Sequence, residues 1–163
     1  MRDASRLFCG FGTTFEQPGD WSRDAFSRWV GLRLGLPVQL GHDLVVTSAG
    51  VVREVGQVTD CALIDKSPIH PPGLLVLGHL HPGVVGDRVL ADMRSPGRHR
   101  RRWGLSIAAR VLRADGHAVL VMPTELSLTL TPAHERARVL GVGDDARGVW
   151  ELLTTRAGLC EQN

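Results

Sequence analysis

Ser106 stands in the middle of Trp103-Gly104-Leu105-Ser106-Ile107-Ala108-Ala109-Arg110-Val111-Leu112, an apolar run entered from an arginine-rich segment. A hydroxyl placed there either bonds a neighbouring carbonyl or acts as a nucleophile. Serine chemistry needs a base for the hydroxyl proton, a third group that holds the base in the correct tautomer, and donors for the oxyanion. Histidine is the natural base because its unperturbed pKa lies near neutrality. Of the seven histidines, His42 ends the apolar stretch Val38-Gln39-Leu40-Gly41-His42-Asp43, beside a small Gly41 that admits close approach of another chain. His99 and His117 fall in expected loops. Spacing between serine and histidine does not decide the matter, since triads recur in several chain orders.

A rival site is Gly73-Leu74-Leu75-Val76-Leu77-Gly78-His79-Leu80-His81, which matches the opening of the cupin metal motif. On a strand His79 and His81 face the same way, as two imidazole ligands must. The motif next requires a glutamate, and Val85 and Gly86 stand there instead. A metal-binding, cupin-like barrel is therefore the weaker alternative, with exposed histidines on an edge strand preferred to it.

The elements that must position these residues are short. Leu7 to Gly12 reads as a strand, and Asp20 or Ser22 caps a helix through about Arg33 whose buried face carries Trp21, Phe26, Trp29, Val30 and Leu32. Strands are expected at 37–43, 51–58, 61–64, 74–80 and 88–93. Others follow at 105–112, 118–122, 125–130 and 135–142, with a terminal helix at 149–157. Ala114-Asp115-Gly116-His117 is a hairpin signal. Short strands at roughly 8–12 residue spacing, with Gly and Pro between them, favour a barrel or sandwich over alternating strand and helix.

Composition limits the classes. A chain of 163 residues is about one domain's worth, and 43% hydrophobic residues suffice for a core. We expect a single domain over 1–163, with its core at about 7–142 and a C-terminal tail or helix at 143–163. A formal charge of +2 is too near balance for a general nucleic-acid binder. Cys9, Cys61 and Cys160 are odd in number and widely spaced, which suits neither a disulfide framework nor a CxxC site. No signal peptide is expected, and no apolar stretch approaches the ~20 residues of a membrane span. A soluble, intracellular protein is the expectation. The arginines of Arg94-Ser95-Pro96-Gly97-Arg98-His99-Arg100-Arg101-Arg102 read as a solvated loop, or as a contact for an acidic partner.

Four segments follow one another along the chain: Gly10 to Phe15 with Asp24-Ala25-Phe26, Val38 to Asp43, Gly104 to Ile107, and Thr124 to Ala133. In that order they resemble the prohead proteases of tailed bacteriophages, which are similar in fold and chemistry to the herpesvirus assembly proteases. Gly10-Phe11-Gly12-Thr13-Thr14-Phe15, followed by Asp24-Ala25-Phe26, is similar to that family's opening strand and helix. Val38 to Asp43 is similar to its His-Asp segment, and Gly104-Leu105-Ser106-Ile107 to its nucleophile segment. Thr124-Glu125-Leu126-Ser127-Leu128-Thr129-Leu130-Thr131-Pro132-Ala133 resembles its Glu-Val-Ser-x-Val-x-x-Pro-Ala strand.

Each segment is weak alone, and the order makes the set moderately specific. The resemblance implies a mainly β fold with a few helices (α+β), a closed or partly open β-barrel of the herpesvirus-protease type surrounded by short helices. It also implies a serine endopeptidase with Ser106 as nucleophile and His42 as base, needing no cofactor. Strand alternation puts Glu125, Ser127, Thr129 and Thr131 on one face and the leucines on the other, so Glu125 is the candidate third member. The herpesvirus relatives use a second histidine in that role, which makes His134 the alternative. Implied partners are capsid and scaffold polypeptides as substrates and a second copy in a homodimer, with no nucleic acid or membrane, inside the assembling prohead in the host cytoplasm. A catalytically inactive barrel that binds capsid or scaffold is the related alternative.

Overall fold

The computed structural model describes residues 3–15, 21–32, 35–41, 45–47, 50–52, 54–65, 70–95 and 103–156. After a 3-10 turn at Ala4–Arg6 come β1 (Leu7–Thr14), α1 (Arg23–Leu32), β2 (Pro37–Leu40), β3 (Val45–Thr47), β4 (Gly50–Val52), β5 (Gly56–Ile64) and β6 (Gly73–Leu80). They are followed by α2 (Val84–Arg94), β7 (Gly104–Ala114), β8 (His117–Thr129), β9 (Val139–Val142) and α3 (Asp144–Arg156). Seven strands form one sheet in the order β7-β8-β2-β5-β6-β1-β9, and β3 pairs with β4 separately. Within the large sheet β2 runs parallel to β8, and the other pairings are antiparallel.

The sheet curls into an open half-barrel. A Cβ on Gly12 of β1 would lie 2.9 Å from Ile107 Cδ1 of β7, so strands far apart in the sheet meet through its inside. Among the described residues its ends meet only at an isolated bridge between Gly104 and Arg138, with no continuous ladder, so of the two forms expected the barrel is open and not closed. There Leu105 N–H donates to Ala137 O at 2.9 Å, and Val139 N–H to Trp103 O at 3.1 Å. The inner core holds Phe8, Leu74, Val76, Leu105, Ile107, Leu126 and Leu128, with Phe26 and Trp29 of α1 and Val89, Leu90 and Met93 of α2. On the outside, α3 lays Ala146 and Leu153 over Leu7, Cys9, Phe11, Leu75 and Leu77. Strand β1 is consequently buried on both faces.

Five expectations about single elements are corrected. Residues 88–93 form part of helix α2, because Val89, Leu90 and Met93 lie on one helical face that packs inward; a short apolar run cannot distinguish the two periods. Only Val139–Val142 of the expected strand at 135–142 is strand. Before it the chain turns, with Ala137 N–H donating to His134 O at 2.9 Å. The two strands expected at 51–58 and 61–64 divide differently, since β5 runs unbroken from Gly56 through a bulge between Val58 and Asp60. Likewise 118–122 and 125–130 join into one strand of 13 residues, β8, with Thr124 as the extra residue of a bulge. Pro123 is tolerated in that strand because it sits at the bulge. The C-terminal helix begins at Asp144, earlier than expected, while Ser22 caps α1 as expected, accepting from Ala25 N–H at 3.3 Å.

Candidate active site on the outer face of β7 and β8

Tight hairpin geometry brings two of the chemical segments together. Asp115 and Gly116 take φ of +50° and +81°, the left-handed pair that a two-residue turn matching strand twist requires. The returning strand then sets Ser106 opposite Ser127, Leu105 opposite Leu128, Ile107 opposite Leu126 and Ala108 opposite Glu125. Leu105, Ile107, Leu126 and Leu128 point into the inner core, so alternation puts Ser106, Ser127 and Glu125 on the outer face.

The start of β7 is fixed from two sides. Trp103 Nε1 donates to Asp92 Oδ2 of α2 at 3.0 Å. Gly104 lies so close to the following loop that a Cβ there would be 2.5 Å from Pro132 Cγ. Ser106, two residues on, is 5% exposed, and Ser127 is wholly buried. The Ser127 hydroxyl donates to Glu125 Oε1 at 3.2 Å. Thr124, the bulge residue, donates its hydroxyl to Ala108 O at 3.2 Å and so ties the strands beside Glu125.

The third segment arrives from the other side of β8. Val38, Gln39 and Leu40 of β2 pair in parallel with Leu126, Ser127 and Leu128. Gly41, left-handed at φ +65°, donates its N–H to Leu128 O at 2.7 Å. Ser106, Ser127 and Gln39 thus form one row across three neighbouring strands. His42, the expected base, lies outside the described residues, as do residues 96–102 of the arginine-rich segment.

His134, the alternative third member, lies in the loop after β8. Its ring lies beside that of Trp21, with centroids 6.3 Å apart and the planes tilted by 36°. Burial holds its pKa below the ordinary 6.5. Nδ1 is buried without a hydrogen-bond partner among the described residues. The structure therefore brings Glu125 to the serine row and packs His134 against an aromatic ring.

The rival histidines lie elsewhere, at the end of β6. The His79 and His81 rings are 6.4 Å apart, and His81 Nε2 is 3.1 Å from Glu54 Oε1. Among the described residues no three His, Cys, Asp or Glu side chains come together to hold a metal ion. No helix among them is long and apolar enough to cross a membrane.

Sequence reasoning placed Ser127 on the same face as Glu125 but gave it no part in the site. Its signal was the alternation itself, together with a register that only the hairpin turn fixes.

No family model and no curated protein matches the chain. Among solved structures it is similar to the protease of KSHV in complex with a hexapeptide phosphonate inhibitor. The likeness has a TM-score of 0.49 at 15% sequence identity and covers 95% of this chain and 88% of that one.

Proposed function

We propose that the protein is a serine endopeptidase that processes scaffold and capsid precursors during assembly of a tailed-phage head, with Ser106 as nucleophile, His42 as general base and Glu125 as the third member. One observation carries the reading. The segments bearing the serine and the glutamate, and the strand that leads to the histidine, lie on three adjacent strands, with Ser106 in register with Ser127 and Glu125 bonded to Ser127. The order of the motifs along the chain supports it independently.

In this mechanism His42 takes the Ser106 proton as the oxygen attacks a peptide carbonyl. Backbone N–H groups stabilise the oxyanion, the protonated imidazole returns its proton to the leaving amine, and water releases the acyl group. Glu125 fixes the imidazole's orientation and offsets its positive charge. Partners are precursor polypeptides and a second copy of the chain, inside the assembling prohead.

A fluorophosphonate probe tests the chemistry without knowledge of the natural substrate. The wild-type protein acquires the probe on Ser106, the Ser106→Ala variant acquires none, and the His42→Ala variant labels at least ~10²-fold more slowly. A folded wild-type protein that remains unlabelled would remove the peptidase reading and leave the inactive, capsid-binding barrel.

A further inference from the structure

We propose that the outward strip Arg110-Leu112-Met122, continuing along the nucleophile strand from Ser106, is a recognition surface for an extended polypeptide that carries an acidic side chain about four residues upstream of the bond to be cut. The inference rests on the peptidase reading above and specifies its substrate.

The hairpin outgrows the sheet. Strand β2 pairs with β8 only at 126–128, so the outer half of the hairpin, from Ala109 and Pro123 to the turn, stands beyond the sheet as a two-stranded ribbon. Its inner face keeps Val111 and Val121 against the core. Its outer face continues the parity of Ser106 and Ala108 and carries Arg110 opposite Met122 and Leu112 opposite Leu120. Leu112 is 56% exposed and Met122 40%. Arg110 is exposed and makes no ion pair or side-chain hydrogen bond among the described residues.

The edge of β7 beside this strip has a defined polarity. Leu105 N–H and Trp103 C=O already point sideways to the 137–139 segment. By alternation the N–H and C=O groups of Ile107, Ala109 and Val111 point the same way, and among the described residues no strand pairs with them. An extended chain added antiparallel at this edge continues the orientation that Ala137–Val139 begins, and brings its carboxyl-side end to Ser106. At about 3.4 Å per residue, Arg110 then lies roughly 13 Å, or four residues, upstream of the reacting carbonyl. A guanidinium beside two exposed apolar side chains fits a carboxylate flanked by apolar residues.

Charged residues on edge strands also serve to prevent edge-to-edge aggregation. Charge reversal distinguishes the two roles, because Arg110→Glu keeps a guarding charge and inverts recognition. Cleavage of a mixed peptide library by the wild-type enzyme, read by mass spectrometry, is expected to enrich Asp and Glu about four residues before the cut, by about two- to fivefold for an exposed ion pair. Arg110→Glu is expected to enrich Lys and Arg there instead. In parallel, the Ser106→Ala variant is titrated with a short peptide of alternating leucine and glutamate and with its leucine–lysine counterpart. Amide shifts at Ile107, Ala109 and Val111 are expected with the acidic peptide, and the preference inverts when Arg110→Glu is added. An Arg110→Glu enzyme with the wild-type peptide preference would overturn the proposal. If the library is not cut, the peptidase reading fails separately, and the titration still decides the strip: no preference for the acidic peptide, or shifts elsewhere, overturns it.

Discussion

Ser106 and Ser127 are a hydrogen-bonded pair of the β7–β8 ladder. Leu105 N–H points away from β8 to Ala137, and Leu128 C=O points away from β7 to Gly41, so the backbone groups of the two serines between them face each other. Such pairs hold their Cα atoms about 5.5 Å apart with both side chains on one face. The hydroxyl of Ser127, bonded to Glu125, is thereby set on the same face as Ser106. In the mechanism proposed above, Ser127 is a positioning residue for the Glu125 carboxylate. Ser127→Ala should lower kcat about tenfold, ~1.4 kcal/mol in the barrier, with KM unchanged. Because Ser127 acts through Glu125, the same substitution made on a Glu125→Gln background should cost much less. Steady-state kinetics of the four proteins checks this, and fully multiplicative losses would show that Ser127 acts on its own.

The close approach at Gly104 links the curl of the sheet to the site. A Cβ at 104 would meet Pro132 Cγ at 2.5 Å and the Ala137 carbonyl oxygen at 2.8 Å, and the backbone oxygen cannot move without breaking the bridge that joins the sheet's ends. Gly104→Ala should cost about 1–3 kcal/mol of stability and also reduce the labelling rate of Ser106. Gly78→Ala, whose Cβ would sit 2.2 Å from the Phe8 ring, is the control. It should destabilise at least as much while leaving the labelling rate of the folded fraction near wild type. Thermal melts paired with labelling kinetics separate the two, and equal loss of labelling in both variants would count against a local link.

Cys9 gives a test of the packing under α3. It is fully buried between β1 and that helix, and burial pushes its thiol up to about 12, so it stays protonated and unreactive. Iodoacetamide applied to the folded protein should leave Cys9 unmodified, and denaturant should expose it. Mass spectrometry of peptic peptides reads both states. Equal modification with and without denaturant would mean that α3 does not cover β1 in solution.

The hairpin and the facing of its side chains were legible in the sequence, and the failures elsewhere have definite causes. Period-two alternation was enough to put Glu125 and Ser127 on one face, and the Asp115-Gly116 pair was enough to place the hairpin, because both signals are local. Helix α2 was misread because Val89, Leu90 and Met93 fit either period over so short a stretch, and only packing against the inner core decides. Two strands at 118–122 and 125–130 were expected where β8 is one; the bulge at Thr124 carries Pro123, which has no N–H to donate, without ending the strand. The row of Ser106, Ser127 and Gln39 was not legible, because it depends on β2 lying parallel beside β8, a pairing between segments far apart in the chain that no local pattern encodes.

His134 supplies a prediction about pH. Burial against Trp21 depresses its pKa in the folded protein, whereas in the unfolded chain it returns to about 6.5. Between the two values the unfolded state binds more protons than the folded one, so the contribution to stability is present above the unfolded pKa and is lost as pH falls through the folded pKa. The melting temperature should therefore decline as pH is lowered below about 6.5, before the carboxylates titrate. His134→Phe keeps an aromatic ring for Trp21 without a titrating group. It should show a shallower decline over that interval and match or exceed wild-type stability at its acid end. Parallel pH slopes for the two proteins would show that His134 is not the group responsible. Because Glu125, not His134, is the carboxylate joined to the serine row, His134→Phe should also leave the labelling rate of Ser106 near wild type. Loss of labelling in a folded His134→Phe variant would return His134 to the third catalytic role.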